Sequence, residues 1–235
     1  MKGATHATAD GWVETRWWWV RHAPVPDGGR IYGQRDLDCD CSDDRVFRAV
    51  AGVLPRDAVW VTSDLKRAKQ TAAAIHAASG GKHAPTEMPA HTAFNEQHLG
   101  DWQGYDRLQF RRDRGHTPKT LWLTTGDERA PGDGGESYPD LVARVIPLIG
   151  ELNAKFAGRQ IVTVTHGGTI RAAIGLALGG PHEISHAFTI DNVSVTVLEH
   201  VHPRHRPEAG VWRIATVNHR PWLTPGQAAG AAVLA

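Results

Sequence analysis

Two cysteines in 235 residues, Cys39 and Cys41, leave too little sulfur for a disulfide framework. Two ligands also fall short of a zinc site, and the pair reads as reduced thiols. Charge of one sign is equally scarce. With 26 Lys and Arg against 25 Asp and Glu, the net charge is +1, and no overall field draws the chain to nucleic acid or a membrane surface. Any anion must therefore be held by a local cluster of positive groups. No apolar run approaches the ~20 residues that a membrane span needs. The first sixteen residues are mixed polar and lack the apolar core of a signal peptide. The expected setting is the cytoplasm, with no nucleic-acid or membrane partner.

What is present suffices for one sizeable core: 41% of residues are hydrophobic and 22% charged. Residues 1–16 read as a flexible leader, 17–220 as the domain and 221–235 as a low-complexity tail. Trp17-Trp18-Trp19-Val20, Ala58-Val59-Trp60-Val61 and Ile161-Val162-Thr163-Val164 are short apolar runs suited to buried strands. Further strands are expected near 193–199 and 211–217, and a helix near 43–54. Leu65, Ala68, Ala72 and Ile75 mark a helix face, with Ser63 or Asp64 as its cap and Gly80-Gly81 as its end. Residues 82–135 are mostly polar and irregular, with a short helix near 103–114. Leu141, Val145, Leu148, Leu152 and Phe156 define a long amphipathic helix capped by Ser137. Gly167-Gly168 opens a further helix, which Gly179-Gly180-Pro181 closes. Strands alternating with helices predict an α/β fold, with a mainly parallel central sheet flanked by helices on both faces.

In such folds ligands sit beyond the carboxyl ends of the strands. The first strand runs into Arg21-His22, the third into His166-Gly167-Gly168, and the second into a helix whose first turn carries Arg67. Two arginines and two histidines would converge on one crevice. Guanidinium groups offer paired hydrogen bonds suited to a tetrahedral dianion. The helix opened by Gly167 adds backbone N–H groups and the positive end of its dipole.

Five ordered blocks then resemble the histidine phosphatase superfamily, in the branch that holds the cofactor-dependent phosphoglycerate mutases and small-molecule phosphatases. They are Arg21-His22-Ala23, Ser63 to Thr71, Glu96 to Gly104, Gly135-Glu136-Ser137, and His166-Gly167-Gly168 with Ile170-Arg171. The resemblance implies a phosphoglycerate mutase-like fold and hydrolysis of a small phosphomonoester through phosphorylated His22. It makes Arg21, Arg67, His166 and Gly167 the phosphoryl-binding set and Glu96 the general acid. Glu96 does not stand out from spacing alone. Positive side chains do the work of a cation, so the resemblance implies no cofactor and no metal. It implies no obligatory partner either, the protein acting as a monomer or homodimer.

The chain also departs from the family. Ala23 stands where Gly is usual and adds a methyl near the phosphate. After His22 comes a loop rich in Pro and Gly, without the Asn and Ser or Thr of the mutases. Leu99 replaces the Tyr that mutases carry three residues beyond the acid. Both changes favour a phosphatase over a phosphoglycerate mutase-type phosphotransferase, the main alternative. Gln34, in Tyr32-Gly33-Gln34-Arg35-Asp36, is a candidate substrate contact. Loop 24–42 is similar to that of α-ribazole phosphatase-like members.

One rival motif needs weighing. His182-Glu183-Ile184-Ser185-His186 matches the H-E-x-x-H of zinc metallopeptidases. It follows Gly-Gly-Pro and is soon followed by β-rich Val193 to Val197, leaving no long helix and no clear third ligand. A short surface helix is the expectation. Phosphatase activity should therefore survive excess chelator in full, and His186→Ala should leave it nearly intact. Activity lost on chelation and restored by zinc would favour the rival.

Overall fold

The computed structural model describes residues 11–83, 87–115, 127–203 and 205–223. The tryptophan run lies inside a strand longer than its apolar letters mark, β1 (Trp12–Arg21). Val13, Thr15, Trp17 and Trp19 are buried along it, while Glu14 and Arg16 sit half-exposed between them. Residues 12–16, read as leader, therefore belong to the sheet. Their charged letters are one face of a strand, held by Arg16–Glu199 (2.6 Å) and Glu14–Arg213 (2.7 Å) ion pairs. Residues 1–10 of the leader lie outside the described residues.

The chain continues through α1 (Asp44–Val53), β2 (Ala58–Ser63), α2 (Lys66–Ala78) and the short β3 (Ala90–His91). Then come α3 (Arg107–Asp113), α4 (Tyr138–Lys155), β4 (Gln160–Thr165), α5 (Gly167–Leu178), β5 (Val195–Pro203) and β6 (Val211–His219). The sheet order is β3-β2-β4-β1-β5-β6. The pairings β3-β2, β2-β4 and β4-β1 are parallel, whereas β1-β5 and β5-β6 are antiparallel. The sheet is thus mixed, not mainly parallel. Apolar runs carry no strand direction, but the short connection between β5 and β6 allows only an antiparallel hairpin.

Strand alternation sends side chains to two cores. Trp17, Trp19 and Ile161 meet Leu141, Val145, Ile149, Ile170 and Ile174 from α4 and α5. Val20, Trp60, Val162 and Val164 meet Phe47, Val50, Ala68, Ala72 and Ile75 from α1 and α2. Helices cover both faces, as the sequence implies. The chain leaves β1 toward one face and β4 toward the other, so the crevice between their carboxyl ends is the topological switch point. Trp222 packs on the second core, so the first residues of the tail are not idle. Residues 224–235 lie outside the described set. Among the described residues no helix is long and apolar enough to cross a membrane.

Two helix starts show how far local signals reach. Ser137 caps α4 as expected: its Oγ accepts from Asp140 N–H (3.3 Å), and the Asp140 carboxylate accepts from Ser137 N–H (2.7 Å). At α2 neither Ser63 nor Asp64 caps. The Lys66 N–H is taken by Asp36 Oδ1 at 2.7 Å, from a loop thirty residues earlier. Ser137→Ala should cost about 1 kcal/mol. A lowered denaturation midpoint with an unchanged m-value would register this, and an unaltered midpoint would contradict it.

Candidate active site

Parallel pairing sets the height of the site. Arg21 lies opposite Thr165 in the register, and Thr62 opposite Val164, so Arg21, Thr165 and Ser63 end their strands level. The next residues, His22 and His166, emerge side by side with ring centroids 5.1 Å apart. His22 N–H donates to Thr165 O at 2.8 Å. Its ring is buried, and Nδ1 lies 2.7 Å from Ala23 O. A carbonyl can only accept, so Nδ1 carries the hydrogen and Nε2 keeps its lone pair.

Ala23 is fully buried and its methyl joins the core with Ala68 and Ala72, so the departure from Gly does not crowd the pocket. Its N–H donates to Thr71 Oγ1 at 2.8 Å. The segment before β5 closes over the same strand end. Ile190 O accepts from Arg21 Nη1 (2.6 Å), Asn192 Nδ2 donates to His22 O (2.8 Å), and Val193 N–H donates to Arg21 O (2.9 Å). Val193 adopts φ +62°, which a β-branched residue rarely does, and that strain sits beside the site.

Arg67 is buried in the first turn of α2. Its Nη2 donates to Gly33 O (2.6 Å), Nη1 to Arg35 O (2.9 Å) and Nε to His166 Nδ1 (3.3 Å). Tyr32 lies under the guanidinium, 5.0 Å from ring centroid to Cζ, and edge-on to His22. Gly33 has φ +46°, and a Cβ there would stand 2.5 Å from Gln103 Oε1. No other residue fits this turn without moving it.

Glu96 is held at the start of α5. Its carboxylate accepts from Gly168 N–H at 3.1 and 3.2 Å, and a Cβ at Gly168 would overlap it. Gly167, the first residue of α5, has its Cα face toward Arg21 Nε and Arg171 Nη1. The loop bearing Glu96 is fixed from α4 by Arg144. Its guanidinium donates to Ala93 O, Asn95 O and Glu96 O at 2.8–2.9 Å and pairs with Glu136 at 2.7 Å. Glu136 in turn accepts from His98 N–H at 2.9 Å.

This arrangement joins two basic strand ends, a basic helix start and one carboxylate around a single crevice. Residues 17–213 match the family model of the histidine phosphatase superfamily, branch 1. The chain belongs to this superfamily. Over 165 residues it is 36% identical to the glucosyl-3-phosphoglycerate phosphatase of Mycolicibacterium vanbaalenii, spanning 66% of this chain and 69% of that one. It is 32% identical over 160 residues to the metal-independent phosphoserine phosphatase of Arabidopsis thaliana, spanning 65% and 64%. The native structure of mycobacterial glucosyl-3-phosphoglycerate phosphatase aligns with a TM-score of 0.72 at 30% identity, over 88% of this chain and 99% of that one. Both relatives are phosphatases, and one is named for its independence of metal.

In this histidine phosphatase the sequence-predicted residues Arg21, His22, Arg67, Glu96, His166 and Gly167 do come together. Gln34 sits at the border of the site. Its Nε2 donates to Glu96 O (2.8 Å) and its N–H to Gln103 Oε1 (2.6 Å), so it braces the acid loop. Leu99 is buried with Ile31 and Phe110, an anchor of the same loop. The H-E-x-x-H segment forms a 3-10 helix, His182–Ala187. At three residues per turn, positions four apart point about 120° away from each other. His186 lies against the Tyr138 ring, with centroids 4.2 Å apart. Among the described residues no group of three or more His, Cys, Asp or Glu is arranged to hold a metal. The residues that sequence reasoning passed over are Arg144, Asn192, Asn95 and the site role of Ser63. No motif singles out Arg144, and only the fold brings it to three carbonyls.

Burial pushes the His22 imidazole well below its ordinary value of 6.5, and Arg21 and Arg67 push it further. His166 is lowered the same way, by burial first and then by Arg67, His22 and Arg21. Both rings are therefore neutral near pH 7. If His22 is the group that reacts, protonating it stops the reaction. A lowered pKa then moves the acid limb of kcat/KM below pH 6.5, once the substrate's own ionisation is corrected for. An acid limb at or above that value would contradict the assignment.

Proposed function

We propose that the enzyme hydrolyses its phosphomonoester in two steps through His22. In the first, the Nε2 lone pair attacks phosphorus, the bond to the leaving oxygen breaks, and Glu96 supplies that oxygen with a proton. In the second, water attacks the phosphohistidine, the N–P bond breaks, and Glu96 takes the proton from water. Arg21, Arg67 and the N-terminus of α5 at Gly167 neutralise the equatorial oxygens, which is the main demand of phosphoryl transfer, and His166, itself neutral, orients the Arg67 guanidinium through Nδ1. The observation that supports this reading is the Nδ1 contact of His22 with Ala23 O, which leaves Nε2 its lone pair on a ring 5.1 Å from that of His166.

Hydrolysis is favoured over mutase chemistry by Leu99. A mutase must hold an intermediate that turns round, and a leucine committed to the core offers it no hydrogen bond. The relatives' names suggest phosphorylated hydroxy acids as the first substrates to test, with glucosyl-3-phosphoglycerate and phosphoserine foremost. A monomer or a homodimer in the cytoplasm is the setting proposed for it.

The reading is tested by quenching turnover and mapping the label. An acid-labile, base-stable phosphoryl group is expected on His22, and His22→Ala should abolish turnover. Label on another residue would overturn the mechanism. With 3-phosphoglycerate and a bisphosphoglycerate primer, phosphate release should outrun formation of 2-phosphoglycerate. The reverse would make the enzyme a mutase and leave the His22 chemistry standing.

A further inference from the structure

The strongest feature outside the set already assigned is the hydrogen-bond chain behind His166. Asn95 Oδ1 accepts from Asp64 N–H at 3.0 Å, which identifies that atom as the oxygen. Ser63 Oγ lies 2.8 Å from the same oxygen and must spend its single hydrogen on it. Leu65 N–H donates to Ser63 Oγ at 3.2 Å and uses one lone pair. His166 Nε2 lies 2.6 Å from Ser63 Oγ, where only the second lone pair remains. The ring must therefore carry its hydrogen on Nε2. On its far side Nδ1 accepts from Arg67 Nε, the arrangement that this tautomer alone permits.

We propose that Ser63 and Asn95 are positioning residues that hold His166 as the Nε2–H tautomer, so that its Nδ1 and the Arg67 guanidinium meet without conflict at the phosphoryl pocket. The pocket's use rests on the phosphatase reading above; the tautomer does not. In the other tautomer an Nδ1–H would face the Arg67 N–H, donor against donor. One of the two groups would then leave its place. All three partners of Ser63 are buried or partly buried, so water does not relax the choice. The fold also explains how Ser63 is released for this work. Asp36 caps α2 from a distant loop, and the serine that local sequence would assign to the helix start is free to face His166.

The experiment is 15N NMR of the full chain labelled at histidine rings, together with kinetics, on Ser63→Ala, Ser63→Thr and Asn95→Leu. In the wild type His166 should show a protonated Nε2 and a bare Nδ1. Ser63→Ala should mix the tautomers and lower kcat/KM by about 10- to 100-fold, as loss of an orienting partner does elsewhere. Ser63→Thr keeps the hydroxyl and should restore both readouts. Asn95→Leu frees the hydroxyl to turn, and should also mix the tautomers. A wild-type His166 protonated on Nδ1 would overturn the proposal. So would Ser63→Ala or Asn95→Leu that kept a single Nε2–H tautomer. The NMR readout needs no turnover. A chain inactive on every phosphomonoester would count against the phosphatase reading while leaving the tautomer measurable.

Discussion

The parallel pairing of β1 with β4 is the constraint on which the rest of the structure depends. It places Arg21 opposite Thr165, so the chain delivers His22 and His166 to the same height from two strands far apart in sequence. The bond from His22 N–H to Thr165 O extends that pairing one residue past the strand. A slip of one residue would turn the histidine of the slipped strand away from the other. The two cores resist such a slip, because Trp17 and Trp19 on one face and Trp18 and Val20 on the other have no interchangeable environments. Packing far from the chemistry therefore holds the chemistry in register.

The same geometry concentrates positive charge, and the molecule manages this in two ways. Both histidines are kept neutral, chiefly by burial and then by their arginine neighbours. The arginines stay charged but are held by backbone carbonyls, Arg67 by Gly33 and Arg35 and Arg21 by Ile190. Carbonyl dipoles orient a guanidinium without cancelling its charge as a carboxylate would. The crevice thus keeps its field for an arriving dianion, and its donors are already in place. Glu96 is turned into this field, and it rests on the backbone N–H of Gly168.

Glu96 is positioned by a different principle. It lies on irregular chain, and irregular chain is fixed only by its hydrogen bonds. Arg144 binds three carbonyls of that chain, Glu136 holds Arg144, and Gln34 and Leu99 brace the flanks. The acid therefore depends on α4, on the loop after β1 and on a small satellite core. This explains why changes distant from the pocket would be felt there.

The sequence by itself determined a good deal. The apolar runs marked the central strands, Ser137 marked the start of α4, and the ordered blocks marked the six residues that line the crevice. The first two signals are local, read from residue type and period, whereas the blocks are legible only through their resemblance to the superfamily. Only the tertiary structure decided the directions of β5 and β6, since a run of apolar letters is the same read either way. It alone extended β1 back to Trp12, where one charged face hides a strand. It also reassigned Ser63 from helix cap to partner of His166, and it brought Gln34 and Arg144 to the backbone carbonyl of Glu96. Each of these placements turns on a hydrogen bond between residues at least thirty positions apart. Such partners have no signature in spacing, because the fold, not the local chain, brings their atoms within 3 Å.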